Sequence, residues 1–275
     1  MFTLNCKGRL LTIDKPIVMG IINTTPDSFY KESRSAGKDE LFLKAEKMIC
    51  DGATVLDIGG QSTRPNSDRV SADEEASRVI PAIEAIHQAF PDALISVDTF
   101  YSIVAKKAVA AGACMINDVS AGTIDEAMIS TVAELGVPYV LMHMQGNPQT
   151  MQKNPLYRDV VLDVFDFLSF KIKELHEAGI HDVIVDPGFG FGKTAGNNFQ
   201  LLKELSFFKQ LQKPLLVGLS RKATVYRTLN ITPEEALNGT TVLHTISLMH
   251  GANILRVHDV KEAVQAIELV GRTSP

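Results

Sequence analysis

Several features that would point straight to a function are missing from this sequence. Cysteines number only three, Cys6, Cys50 and Cys114, far apart and without Cys-x-x-Cys spacing. An odd, scattered set excludes a disulfide scaffold and a zinc ribbon. There is no basic excess either: the formal net charge is −5. A general nucleic-acid or anionic-membrane surface is therefore excluded, and any anionic ligand must be held by a local basic cluster. No apolar run approaches membrane-spanning length, and the opening Met-Phe-Thr-Leu-Asn-Cys-Lys-Gly-Arg lacks the apolar centre of a signal peptide. The expectation is a soluble, reduced, cytoplasmic protein. No Pro/Gly/Ser-rich linker divides the 275 residues, 45% of them hydrophobic, so one domain over 1–275 is expected.

Two nucleotide fingerprints are also absent, although one stretch invites them. Residues 182–193 read Asp-Val-Ile-Val-Asp-Pro-Gly-Phe-Gly-Phe-Gly-Lys. A phosphate loop needs glycine where Pro187 stands, and Gly188, Gly190 and Gly192 do not have dinucleotide-turn spacing. The β-branched run instead delivers Asp186 at the end of a buried strand. Alternate glycines then let backbone approach a ligand beside the flat faces of Phe189 and Phe191.

That run is one of eight. Ile17 to Ile22 ends at Asn23, Thr54 to Ile58 at Gly59-Gly60-Gln61-Ser62-Thr63-Arg64-Pro65, Ala93 to Val97 at Asp98, and Cys114 to Ile116 at Asn117-Asp118. Tyr139 to Met142 ends at His143, Leu215 to Val217 at Gly218 to Lys222, and Asn253 to Leu255 at Arg256-Val257-His258. Helical patterns lie between, with a capping box at Ser71-x-x-Glu74 and a second start at Thr232-Pro233. Glycines 52, 112, 136 and 179 follow helix-like stretches. Eight such units predict an α/β fold, a (β/α)8 TIM barrel, with an open doubly wound sheet as the competing topology. Residues 2–13, alternating about Lys7-Gly8-Arg9, predict a short N-terminal β-hairpin closing one end. The long polar segments 24–38 and 60–71 are candidate lids.

A barrel would gather the strand-end residues at one mouth. Asp98, Asn117 and Asp186 offer acceptors and an amide suited to a planar N–C–N edge, and Lys222 can face a carbonyl or ring nitrogen, as a pterin-like heterocycle requires. Taken singly, each could instead pair with backbone or a neighbouring lysine. Arg64, Arg256 and His258 can hold a phosphate or diphosphate, with surface ion pairing as the alternative. Asn23 could give an oxygen to magnesium or simply open the turn at Thr24-Thr25-Pro26-Asp27. His143 is expected to be packed or hydrogen-bonded rather than a metal ligand, and Lys193 to be solvated.

Motifs along nearly the whole chain resemble the dihydropteroate synthase family. They are Ile-Asn-Thr-Thr-Pro-Asp-Ser-Phe (22–29), Gly-Gly-Gln-Ser-Thr-Arg-Pro (59–65), Ser-Val-Asp-Thr (96–99), Asn-Asp-Val-Ser (117–120), Met-His-Met-Gln-Gly (142–146), Asp-Pro-Gly-Phe-Gly-Phe-Gly-Lys (186–193), Gly-Leu-Ser-Arg-Lys (218–222) and Arg-Val-His-Asp (256–259). The resemblance implies a barrel enzyme of folate biosynthesis. It would join 6-hydroxymethyl-7,8-dihydropterin diphosphate to 4-aminobenzoate, release diphosphate by a dissociative route, and be a sulfonamide target. By the same resemblance Asp98, Asn117, Asp186 and Lys222 would bind pterin, and Lys222, Arg256 and Asp98 would serve catalysis. Thr63, Arg64, Arg256, His258 and Asn23 would meet diphosphate, with Mg2+ at Asn23. Phe29, Pro65, Phe191, Ser220 and Arg221 would surround aminobenzoate, and a homodimer is implied. The chain departs from the family pattern at Gln61, usually Glu, at Asn66, usually Gly, and by an extra residue before Pro148. A pterin methyltransferase barrel and a non-catalytic pterin binder are the rival readings.

Overall fold

The eight apolar runs all become strands, each close to its predicted limits, and what the structure adds is their closure. A computed structural model describes residues 1–24, 34–61, 69–146 and 155–273, with side chains for all of these except 34–39. The barrel strands are β3 (Ile17–Asn23), β4 (Val55–Gly59), β5 (Leu94–Asp98), β6 (Met115–Asp118), β7 (Tyr139–Met142), β8 (Val183–Asp186), β9 (Leu216–Val217) and β10 (Ile254–Val257). They pair in parallel in the order β8-β7-β6-β5-β4-β3-β10-β9. A parallel bridge between Val185 and Leu215, with Val185 N donating to Pro214 O at 2.9 Å, joins the two ends. That bridge decides for the barrel over the open sheet.

Helices follow the strands: α1 (Arg34–Cys50), α2 (Ala72–Ala89), α3 (Ser102–Ala111), α4 (Met128–Leu135), α5 (Val160–Glu177), α6 (Ala195–Lys203), α7 (Ala223–Leu229), α8 (Leu237–Met249) and α9 (Val260–Thr273). Ser71 caps α2 by accepting from Glu74 N at 3.2 Å. Glu74 does not return the bond, because its carboxylate pairs with Arg78 one turn on. The helix foreseen at Thr232 begins later, at Leu237; Thr232 N donates to Glu235 Oε2 at 2.9 Å and holds a turn instead.

Below the barrel, β1 (Phe2–Cys6) and β2 (Arg9–Ile13) form the expected hairpin. Its turn residues Lys7 and Gly8 both have positive φ, 53° and 85°, as the tight hairpin turn demands. Leu4, Cys6, Leu11 and Ile13 pack against Met19, Val55, Met115, Val140, Ile184 and Ile254, the lowest inward layer of the barrel strands. Each aliphatic side chain buried there contributes about 1.5–3 kcal/mol. The plug is apolar, so inward polar groups occur only higher up the strands.

One buried carboxyl stands at the edge of that upper region. Glu75 of α2 is fully buried, accepts from Thr99 Oγ1 at 2.9 Å, and leaves Oε1 without a partner among the described residues. Burial pushes its pKa up to about 8, with Asp98 adding to the rise and the Thr99 hydrogen bond opposing it. The folded state therefore holds a proton that the unfolded chain releases at ordinary carboxyl pH. Stability from this group is greatest below that range and is lost as pH rises towards about 8. Glu75→Gln is expected to raise Tm at alkaline pH and leave it unchanged in acid; melting curves that shift equally at both would contradict the buried neutral carboxyl.

Candidate active site

Strand alternation turns Asp57, Asp98, Asn117, Asp186 and Arg256 inward, because Val55, Leu94, Met115, Ile184 and Ile254, two or four residues earlier, belong to the apolar plug layer. The five polar residues therefore share the barrel interior above the plug. Arg256 lies within β10 rather than after it, opposite Met19 of β3. Its Nε donates to Asp57 Oδ2 at 2.6 Å and its Nη2 to Asp98 Oδ2 at 2.6 Å. Asn117 Nδ2 donates to the same Asp57 oxygen at 2.9 Å.

Asp57 was hidden from sequence reasoning. It sits inside the Thr54 to Ile58 run, where one acid among aliphatic residues leaves the strand pattern intact, and it is fully buried. The only sequence signal was a charge at an inward position of a strand otherwise read as apolar.

Burial drives the ionisation of this layer. It pushes the Asp98 carboxyl up to about 7, against the pull of Arg256 and with the repulsion of Asp57 and Asp118. Burial likewise raises Asp186, which Lys222 and the Gly188 amide oppose; Gly188 N donates to Asp186 Oδ1 at 2.7 Å. Burial works against the Arg256 charge too, yet Asp57 and Asp98 overcome it and raise its pKa further. Lys222 is half-buried and brought down to about 8, burial outweighing the attraction of Asp186 and Asp98. Asp98, Asp186, Lys222 and Arg256 thus act on one another across one mouth.

The glycine-rich loop shapes the side of this mouth. Lys222 Nζ donates to Phe189 O at 2.6 Å and lies 4.6 Å from the centre of the Phe191 ring, a cation–π contact. Lys193 is buried, only 2% exposed, where a solvated lysine was expected. Its ammonium donates to Gly188 O at 2.9 Å, Phe191 O at 3.1 Å and His143 O at 3.3 Å, and meets His143 Nδ1 at 2.9 Å. The reason is geometric: the loop folds over residues 143–145, so the lysine that ends it faces carbonyls rather than water. Burial lowers Lys193 to about 7. Burial and the neighbouring Lys193 take His143 down to about 2, so its imidazole is neutral. His143 is packed edge-on against Phe167 with ring centres 4.9 Å apart, as a structural histidine was expected to be.

At the rim, Ser220 Oγ lies 3.0 Å from His258 Nδ1 and accepts from His258 N at 3.1 Å. Ser220 is buried and His258 exposed. Arg221 makes a two-pronged pair with Asp259, both bonds 2.8 Å, and also donates to Pro233 O and Glu234 O. Its guanidinium is thus committed to the protein. Asn23 ends β3 opposite Gly59 and is exposed. Phe29, Thr63, Arg64, Pro65, Asn66 and Pro148 lie outside the described residues, as do most of the two candidate lids. Among the described residues no three His, Cys, Asp or Glu gather as a metal site would require.

A family model described as pterin binding enzyme matches residues 19–258. The dihydropteroate synthase of Escherichia coli strain K12 is 44% identical over 269 residues, covering 97% of this chain and 95% of that protein. The Bacillus subtilis dihydropteroate synthase is 41% identical over 259 residues, 94% of this chain and 88% of that one. Among solved structures, Yersinia pestis dihydropteroate synthase with a sulfonamide drug complex superposes with a TM-score of 0.93 at 42% identity, over 99% of each chain. Xanthomonas albilineans dihydropteroate synthase in complex with 7,8-dihydropteroate gives 0.88 at 39%, over 99% of this chain and 100% of that one.

The loop geometry yields a direct test. Gly188 has φ +72°, and a Cβ there would lie 1.9 Å from His143 O. Gly188→Ala is expected to displace the loop with its Lys222 and Asp186 contacts and to lower turnover about 10²-fold. Gly271→Ala in α9, where a Cβ would meet nothing within 4 Å, is the control and should leave turnover unchanged.

Proposed function

The chain belongs to the pterin-binding enzyme family and is a transferase of the dihydropteroate synthase type, and we propose that its buried charges drive the condensation by a dissociative route. The observation that carries this reading is the side-by-side placement of an acid-rich pocket, Asp98, Asn117 and Asp186, and the cations Lys222 and Arg256. We read 1–275 as one catalytic domain, in keeping with the family match from 19 to 258.

In this reading the carboxylates of Asp98 and Asp186 accept from the N–C–N edge of the pterin, Asn117 contributes its amide, and Lys222 donates to a ring acceptor. The bond from the pterin methylene carbon to the bridging diphosphate oxygen breaks, and its electron pair leaves with diphosphate. Positive charge spreads into the ring beside the acids, and negative charge grows beside Arg256 and His258, with Thr63 and Arg64 assigned to the same task by motif. The neutral aromatic amine of 4-aminobenzoate then forms the C–N bond, and its surplus proton passes to water or to diphosphate. No strong base is needed. Phe191 would line the aminobenzoate site with Phe29 and Pro65. Ser220, near the start of α7, supports placing the carboxylate there. Arg221, tied to Asp259, would act by shaping that turn rather than by direct contact.

A magnesium ion fits Asn23 only as a companion of the substrate. One exposed neutral amide suits a hard cation whose other oxygens come from diphosphate and water. Bound there, the ion would offset the charge of diphosphate. Exposed Val242 and Met249 on α8 support a homodimer, which sedimentation would test. Among the described residues no helix is long and apolar enough to cross a membrane, and we place the protein in the cytoplasm.

Diphosphate release measured with both substrates tests the reading. Release that depends on 4-aminobenzoate is expected; pterin binding with no release would indicate a binding protein, and methyl transfer a different enzyme. Lys222→Met is expected to cut turnover roughly 10²–10³-fold with the fold intact, and Arg256→Ala to weaken chiefly the diphosphate substrate. Unchanged turnover in the first, or altered aminobenzoate affinity alone in the second, would move these roles elsewhere.

The site also sets a pH profile. Only the ionised Asp98 offers two acceptor oxygens and a negative charge to the ring, so kcat/KM for the pterin substrate should rise with pH through about 7. It should fall above about 8 as Lys222 loses its proton. Lys222→Arg should abolish the alkaline fall, and a wild-type profile flat across that range would refute both assignments.

A further inference from the structure

We propose that Asp57 is the positioning residue that sets both arms of the pterin diphosphate site, holding Arg256 for the diphosphate and Asn117 for the ring. One oxygen, Asp57 Oδ2, accepts from Arg256 Nε at 2.6 Å and from Asn117 Nδ2 at 2.9 Å. A carboxylate in an ion pair can only accept, so the Asn117 amide nitrogen must face it. The amide orientation is thereby fixed: the nitrogen is the side-chain atom of Asn117 bonded to protein among the described residues, and Oδ1 is left to accept from a ligand. Arg256 is fixed in the same way. Its Nε edge goes to Asp57 and its Nη2 to Asp98, so among the described residues only Nη1 carries no protein hydrogen bond.

The cost of keeping this acid supports a positioning role. Asp57 is 0% exposed, and its second oxygen, Oδ1, is sealed from solvent without a partner among the described residues. Buried polar atoms left unpaired are retained where function requires them. A structural ion pair alone would not require the amide of a third strand to share the same oxygen. Asp57 on β4, Asn117 on β6 and Arg256 on β10 meet only because the barrel interior brings those strands together.

The inference rests on the pterin diphosphate reading above, and binding isotherms separate the two: loss of wild-type diphosphate release sinks that reading, whereas the Asp57 variants are compared by affinity alone. The probes are 6-hydroxymethylpterin and its diphosphate, titrated into wild type, Asp57→Leu, Arg256→Gln and the double variant. Asp57→Leu is expected to weaken the bare pterin, through Asn117, and also to remove the extra affinity that diphosphate adds. Arg256→Gln should remove only that extra affinity, and adding Asp57→Leu to it should cost no more of it. Asp57→Asn keeps the size and one acceptor but not the charge, so about a tenfold loss is expected, with thermal stability as the fold control. Wild-type affinity of Asp57→Asn for both ligands overturns the proposal. So does a diphosphate increment that survives in a folded Asp57→Leu protein, or one whose losses simply add in the double variant.

Discussion

The guanidinium of Arg256, bonded at once to Asp57 and Asp98, is the contact on which the upper barrel depends. Strand order places β3 between β10 and β4, so the side chain must span the interior rather than run along the sheet. A closed barrel makes that chord short. Removing one partner from a buried pair leaves a charge uncompensated at about 3–5 kcal/mol. Folding and the ligand recognition proposed above therefore draw on the same three side chains, and the apolar plug beneath them keeps the charges out of contact with water from below.

Counted across the mouth, the acids Asp57, Asp98 and Asp186 face the cations Arg256, Lys222 and Lys193. Charges of both signs held together at low dielectric offset part of the cost of burying one another. The two lysines are held near neutrality in pH terms, about 8 and about 7, so small changes in their surroundings change their charge. In the dissociative route proposed above, a substrate that separates into a ring cation and an anion would meet acids and cations already in place. Preorganisation of this kind costs nothing further when the bond breaks.

Much of this was legible beforehand, for a physical reason. Strands buried on both faces must be continuous apolar runs, so their number and their polar ends stand out, and the ends carry Asp98, Asn117 and Asp186. Arg256 was legible as a cation near a strand end, although the strand runs past it to Val257. Asp57 was not, because a single acid does not interrupt an apolar run. Lys193 was misjudged for a different reason: its burial arises from His143, fifty positions away in the chain, and from a loop path set by glycines in the left-handed region. Contacts that depend on such packing leave no local pattern.

The departure at Gln61 is explicable on the same terms. Gly60, just before it, backs onto Glu75, whose Cγ would lie 3.1 Å from an added Cβ. Burial already holds the Glu75 carboxyl near 8, with Asp98 contributing to the rise. A glutamate at 61 would bring a further acid into a neighbourhood that already keeps one protonated, against the Thr99 hydrogen bond and the charges of Arg78 and Arg69. Gln61 is itself 9% exposed, with Oε1 unpaired among the described residues. A neutral amide supplies similar bulk and hydrogen-bonding reach without adding to that repulsion.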